Sequence, residues 1–208
     1  MSILKTIKKN KIIPLGTLVN EDEVLNICNC LTEADIPLIE VTLRDKRVID
    51  AIPSFKKYPN IYLGIGTIRT TEQVDLAINA GASFAITPGF SAKISDYASN
   101  KGLLLIPGVQ TASEVMAASE AGHKVLKFFP AELSGGIDKL NAFKSVFPDI
   151  TFIPTGGITN KNIANYLNLD NVVAVGASSA MPESLIRSKS WDKITNNLLE
   201  IKTIIETT

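Results

Sequence analysis

The chain has 208 residues, 45% of them hydrophobic and 20% charged, with 21 basic side chains against 21 acidic ones. A length of this order suits one large domain, so residues 1–208 are read as a single unit. The charge balance makes no electrostatic case for nucleic acid, and no apolar run approaches the ~18 residues of a membrane span.

The opening "MSILKTIKKNK" is too short in its apolar part for a signal sequence, which points to the cytoplasm. Its Ile3, Leu4 and Ile7 predict a short helix that plugs one end of the fold. From there β-rich runs alternate with helical patterns: "KIIPL" (11–15), "LIEVTL" (38–43), "IYLGIGT" (61–67), "FAITP" (84–88), "LLLIPG" (103–108), "VLKFFP" (125–130), "TFIPTG" (151–156) and "VVAVG" (172–176). Eight strand-plus-helix units predict an α/β fold, a single (β/α)8 TIM barrel. The competing doubly wound sheet more often has about five or six strands, and its dinucleotide-binding form carries a G-x-G-x-x-G after the first strand. Here "PLGTLVNEDE" follows instead.

Between the strands, Cys28 and Cys30 lie in an amphipathic segment where positions two apart do not face each other, so free thiols are expected. "TTEQVDLAINAGA" offers Thr70 or Thr71 as N-cap and Gly81 as stop, and "TASEVMAASEAGH" repeats that grammar with Thr111 and Gly122. The only histidine, His123, falls in a helix-to-strand turn and is expected at the surface. With one histidine and no second ligand cluster, no metal site is expected. The tail places Ile194, Leu198, Ile201 and Ile205 on one face of a last helix.

Chemistry in a parallel barrel gathers at the C-terminal ends of the strands. In "LIEVTLR", Ile39, Val41 and Leu43 alternate with Glu40, Thr42 and Arg44. If the apolar set packs on the helices, the polar set points into the barrel, where a carboxylate and a guanidinium need each other or a ligand. A structural Glu40–Arg44 ion pair is one reading and a ligand site the other. In "VLKFFPAE", Lys127 shares a face with Val125 and Phe129, and it either snorkels out at the strand end or does chemistry. The glycine turns of "PTGGITN" (Gly156, Gly157) and "VGASS" (Gly176, Ser178) sit where barrel enzymes commonly hold phosphate.

Together, "IEVTLR", "GIGT", "TPGF", "IPGV", "LKFFPAE" and "PTGGI", in this order, resemble the 2-keto-3-deoxy-6-phosphogluconate / 4-hydroxy-2-oxoglutarate aldolase family over nearly the whole chain. The resemblance implies a cofactor-free class I aldolase that yields pyruvate and either glyceraldehyde 3-phosphate or glyoxylate. It also implies a cytoplasmic homotrimer of the Entner–Doudoroff type of carbohydrate metabolism. By it, Lys127 is the Schiff-base lysine and Glu40 the general acid/base. Arg44 and Thr67 hold the pyruvate carboxylate, Pro88 lines the pocket, and Thr155 helps select the aldehyde's stereochemistry. A lysine with the usual pKa of ~10.4 is almost wholly protonated at pH 7, and lowering that value by about three units would make a large fraction nucleophilic; burial and a nearby Arg44 would push in that direction. Two positions depart from the pattern: Thr17 stands where the family often carries an arginine for phosphate, and Ala177 replaces a common glycine. These departures lend weight to a non-phosphorylated substrate. The rivals are a phosphate-binding barrel epimerase or synthase, which would not need Lys127, and a non-catalytic oligomeric barrel.

Overall fold

A computed structural model describes residues 2–208. Among these, the strands in chain order are β1 (Ile12–Gly16), β2 (Leu38–Thr42), β3 (Tyr62–Gly66), β4 (Phe84–Ile86), β5 (Leu105–Ile106), β6 (Gly108–Val109), β7 (Val125–Phe128), β8 (Thr151–Pro154) and β9 (Val175–Ala177). They form an α/β fold of two parallel sheets, ordered β5-β4-β3-β2-β1-β9 and β6-β7-β8. Isolated parallel bridges, Phe152 to Val172 and Thr155 to Gly176, link the β8 and β9 segments.

The break between the sheets has a local cause. The fifth expected strand, "LLLIPG", contains Pro107, which has no N–H to donate to a ladder. Before it, the carbonyls of Leu104 and Ile106 accept from Ala85 and Thr87 on the β4 side. After it, pairing passes to the other neighbour: the Pro107 carbonyl accepts from Lys127 N–H at 2.9 Å, and Gly108 stands opposite Lys127.

Alternation along the strands sorts side chains into two cores. Ile39, Val41, Leu126, Phe128 and Phe152 face the helices. Ile13, Leu38, Phe84, Ile86, Ile106, Ile153 and Ala174 form a separate inner cluster that Ile7 joins, with Ile3 and Leu4 packed against it. The opening helix, Ile3–Asn10, therefore covers this inner set as its amphipathic pattern predicts. Going up β2, the inward face changes from Leu38 to Glu40, Thr42 and finally Arg44, an apolar floor beneath polar groups.

Helix ends follow their sequence signals. Thr70 caps the helix Thr71–Asn79 by accepting from Gln73 N–H, and Gly81 leaves it at φ +78. Thr111 and Glu114 form a complete capping box ahead of Ala112–Glu120. In the last helix, Trp191–Glu206, the expected stripe Ile194, Leu198, Ile201 and Ile205 is buried. Among the described residues, no helix is long and apolar enough to cross a membrane.

Candidate active site

At the C-terminal ends of the strands lies a cavity of about 220 Å³ lined by Leu15, Glu40, Thr42, Arg44, Thr67, Pro88, Lys127, Phe129, Thr155, Gly156 and Ser178. A neighbouring space of about 440 Å³ shares Leu15, Arg44 and Ser178 with it and adds Thr17, Gly157, Thr159, Ser179 and Glu183 among others. The sequence-predicted residues thus come together, with one difference. Gly176 lines neither space; it lies beneath Thr155, whose Oγ1 would be 2.3 Å from a Cβ placed there.

Lys127 points inward rather than snorkelling out. It is 6% exposed and Glu40 is 1% exposed, with Nζ donating to Glu40 Oε1 at 3.2 Å. The Nζ also lies 5.3 Å from the centroid of the Phe129 ring. The structure corrects the Glu40–Arg44 ion pair. Arg44 lies in the turn beyond the end of β2, whereas β7 delivers Lys127 across the interior to Glu40. Arg44 has no carboxylate partner among the described residues, and its Nε donates to Thr42 Oγ1 at 3.2 Å.

Glycines create the room for this pair. On β3, a Cβ at Gly66 would lie 2.0 Å from Glu40 Oε1, and one at Gly64 would lie 2.2 Å from the Phe84 ring. The next residue, Thr67, holds φ +64, a left-handed conformation that strains a β-branched residue by ~1–3 kcal/mol. Hydrogen bonds clamp the backbone on both sides of it, from Leu43 N–H to the Gly66 carbonyl at 3.0 Å and from Ile68 N–H to the Ile86 carbonyl at 3.1 Å. At the opposite wall, Gly156 and Gly157 turn at φ +99 and +81, held by bonds from Glu132 N–H and Asn162 Nδ2 to their carbonyls.

Such a set can perform covalent catalysis: a buried amine as nucleophile, a carboxylate in proton-transfer reach, and a free guanidinium for an anion. Comparison with known proteins decides the family. The profile of the KDPG and KHG aldolases, the 2-keto-3-deoxy-6-phosphogluconate and 4-hydroxy-2-oxoglutarate enzymes, matches residues 3–197. This chain belongs to that aldolase family. It is 35% identical over 205 residues to a 2-dehydro-3-deoxy-phosphogluconate aldolase of Haemophilus influenzae, covering 98% of this chain and 97% of that one. With the KHG/KDPG aldolase of Escherichia coli K12 the identity is 34% over 195 residues, 93% of this chain and 90% of the other. A KDPG aldolase of Legionella pneumophila, solved with pyruvate captured as a covalent carbinolamine, superposes with a TM-score of 0.92 at 35% identity, covering 97% of this chain and 98% of that one. Members of the family are carbon–carbon lyases, and the Legionella complex is that of an amine adding to the ketone of pyruvate.

Several features escaped the sequence reading. Leu15 and Phe129 are cavity walls, Thr42, already read as inward-facing, proves to be the hydrogen-bond partner of Arg44, and Gly64 and Gly66 matter through the volume they leave empty. Both cysteines are free and buried, and burial pushes the Cys28 thiol up to about 12, so it stays protonated. Among the described residues, no group of three or more His, Cys, Asp or Glu side chains is placed to hold a metal.

His123 is a correction. It does occupy a turn, but it is half-buried, with Nε2 2.7 Å from the Ser95 hydroxyl, because the helix Ala92–Asn100 packs over the turn and needs a polar partner for that serine. Burial lowers its pKa from the ordinary 6.5. The folded protein then binds fewer protons at this site than the unfolded chain, so stability is fully present above pH ~6.5 and declines as pH falls toward the folded value. Urea midpoints of the wild type are expected to fall over that window, and those of His123→Asn to fall less. Equal pH dependence in both proteins would rule out this contribution.

Proposed function

We propose that this chain is a class I aldolase that reversibly cleaves a 4-hydroxy-2-keto acid to pyruvate and an aldehyde through a Schiff base on Lys127. The observation that carries the reading is the buried Lys127–Glu40 pair at 3.2 Å inside a cavity with an unpaired Arg44 at its mouth. The Lys127 amine, relieved of its proton, adds to the C2 ketone, and loss of water gives an iminium. The C4 hydroxyl then gives its proton to Glu40, the C3–C4 bond breaks, and its electron pair moves toward the iminium nitrogen. The aldehyde leaves behind an enamine. Glu40 returns that proton to C3, and addition of water to the resulting iminium frees pyruvate and the amine. Arg44 and Thr67 hold the keto-acid carboxylate, Pro88 walls the pocket, and Thr155 faces the C4 centre, where it bears on stereochemistry.

The aldehyde tail extends into the larger chamber, toward Gly156, Gly157 and Ser178. The relatives' names point to 2-keto-3-deoxy-6-phosphogluconate, with 4-hydroxy-2-oxoglutarate as the second substrate. In this reading the two sheets form one (β/α)8 barrel over residues 1–208, with β5 and β6 as halves of its fifth strand. The bridges from β8 to β9 and the handover at Pro107 support that closure. Family resemblance supports a cytoplasmic homotrimer, and light scattering reads the assembly.

Borohydride reduction in the presence of pyruvate tests the chemistry. The expected result is one reduced pyruvate adduct on Lys127, located by peptide mass mapping. An epimerase, a synthase or a non-catalytic barrel would leave every lysine unmodified, and that outcome would reject the proposal.

A further inference from the structure

Arg44 is a partly exposed side chain lining two neighbouring spaces, and a free guanidinium on such an arm samples many rotamers. One neutral contact restrains it, the bond from Nε to Thr42 Oγ1. Thr42 is 2% exposed on the inward face of β2, and its Oγ1 lies 3.1 Å from Thr17 Oγ1 at the end of β1. The parallel register sets Gly16 beside Val41, and continuing it by one residue brings Thr17, just past β1, alongside Thr42, where the two side-chain hydroxyls meet.

We propose that Thr17 and Thr42 are positioning residues that act through Arg44 to set the affinity for the keto-acid carboxylate. The inference rests on the aldolase reading of the same site. A threonine hydroxyl has one hydrogen to give and two lone pairs to accept with. Thr42 uses one lone pair for Arg44 Nε; either hydroxyl can donate in the contact with Thr17, and with Thr42 as donor its oxygen becomes a better acceptor for the guanidinium. With Nε occupied, the donors left on Arg44 are those of its two terminal nitrogens, which present a fork to a carboxylate. The hydrogen of Thr17 is then free to turn toward the larger chamber that this residue lines. Position 17, placed near the far end of the substrate, thereby bears on the carboxylate end.

The test measures borohydride trapping of pyruvate, as half-saturating concentration and as maximal rate. Thr42→Val, near-isosteric but without the acceptor, is expected to raise the half-saturating concentration about tenfold, the order of one hydrogen bond to a charged group, and to leave the maximal rate unchanged. Thr42→Ser restores the acceptor and should return the value to within about twofold. Thr17→Val should give a rise of about threefold, and Thr17→Val/Thr42→Val no more than Thr42→Val alone, because both act along one chain. Should Thr42→Val fold poorly, Thr17→Val still decides: a half-saturating concentration unchanged from wild type there would overturn the role. A lowered melting midpoint with unchanged half-saturation, or full multiplication of the two single effects, would overturn the positioning role. Failure of the aldolase reading looks different: the wild type would then yield no adduct at any pyruvate concentration.

Discussion

Lys127→Met is expected to lower kcat/KM for keto-acid cleavage by roughly 10⁴-fold or more, because the covalent route is lost and, among the described residues, no other amine lines the cavity. The same change has a second consequence that depends on geometry alone. Glu40 is 1% exposed, and Lys127 is the cation bonded to it, so removing the amine leaves a buried carboxylate uncompensated. Breaking such a pair on one side costs about 3–5 kcal/mol of stability. Adding Glu40→Gln to Lys127→Met removes the stranded charge and should recover most of that loss in urea unfolding, with no recovery of activity. Pyruvate release, followed by coupled reduction to lactate, reads the first effect. A Lys127→Met protein within tenfold of wild-type kcat/KM would dispose of the Schiff-base mechanism. A double variant no more stable than the single would show that the charge pair is not what the buried lysine stabilises.

What could be read from the chain alone was what has a period or a cap. The alternation in "LIEVTLR" separated Ile39 and Val41, which face the helices, from Glu40 and Thr42, which face inward, because a strand with two different faces has a period of two. Thr70 and Thr111 were legible as caps because capping is a local bond between residues three apart. The partner of Glu40 was not legible. Residues 40 and 127 meet only through the stacking of strands, and nothing within "LIEVTLR" distinguishes a bond to Arg44 from one to a distant lysine. The Thr17–Thr42 contact was hidden for a related reason: position 17 stood out as a missing arginine, and its actual contact depends on the β1–β2 register. The split of the fifth strand falls at Pro107, but a proline alone did not announce it: Pro14 lies within β1 and leaves that strand whole.

Gly64 and Gly66 extend this to positions whose contribution is the absence of a side chain, and they divide fold from chemistry. Both lie on the inward face of β3, two residues apart. A methyl at Gly64 would lie 2.2 Å from the ring of Phe84, which is fully buried in the inner apolar cluster and has no open direction in which to retreat. Gly64→Ala is therefore expected to cost stability, about 1–3 kcal/mol as overpacking, while the folded fraction keeps most of its kcat. A methyl at Gly66 would lie 2.0 Å from Glu40 Oε1 and 2.8 Å from its Cγ. A glutamate can rotate where a packed ring cannot, so this clash relaxes by moving the carboxylate. That movement breaks the 3.2 Å contact with Lys127 and displaces the carboxylate proposed to take the C4 proton. Misplacing a reacting group by about 1 Å can cost on the order of 10²-fold in rate, so Gly66→Ala is expected to lose about 10²-fold in kcat with a smaller loss of melting midpoint than Gly64→Ala. Paired thermal unfolding and steady-state kinetics on the two variants check the contrast. If Gly66→Ala keeps wild-type kcat, Glu40 can be moved without penalty, and the proton transfer must be assigned to another group.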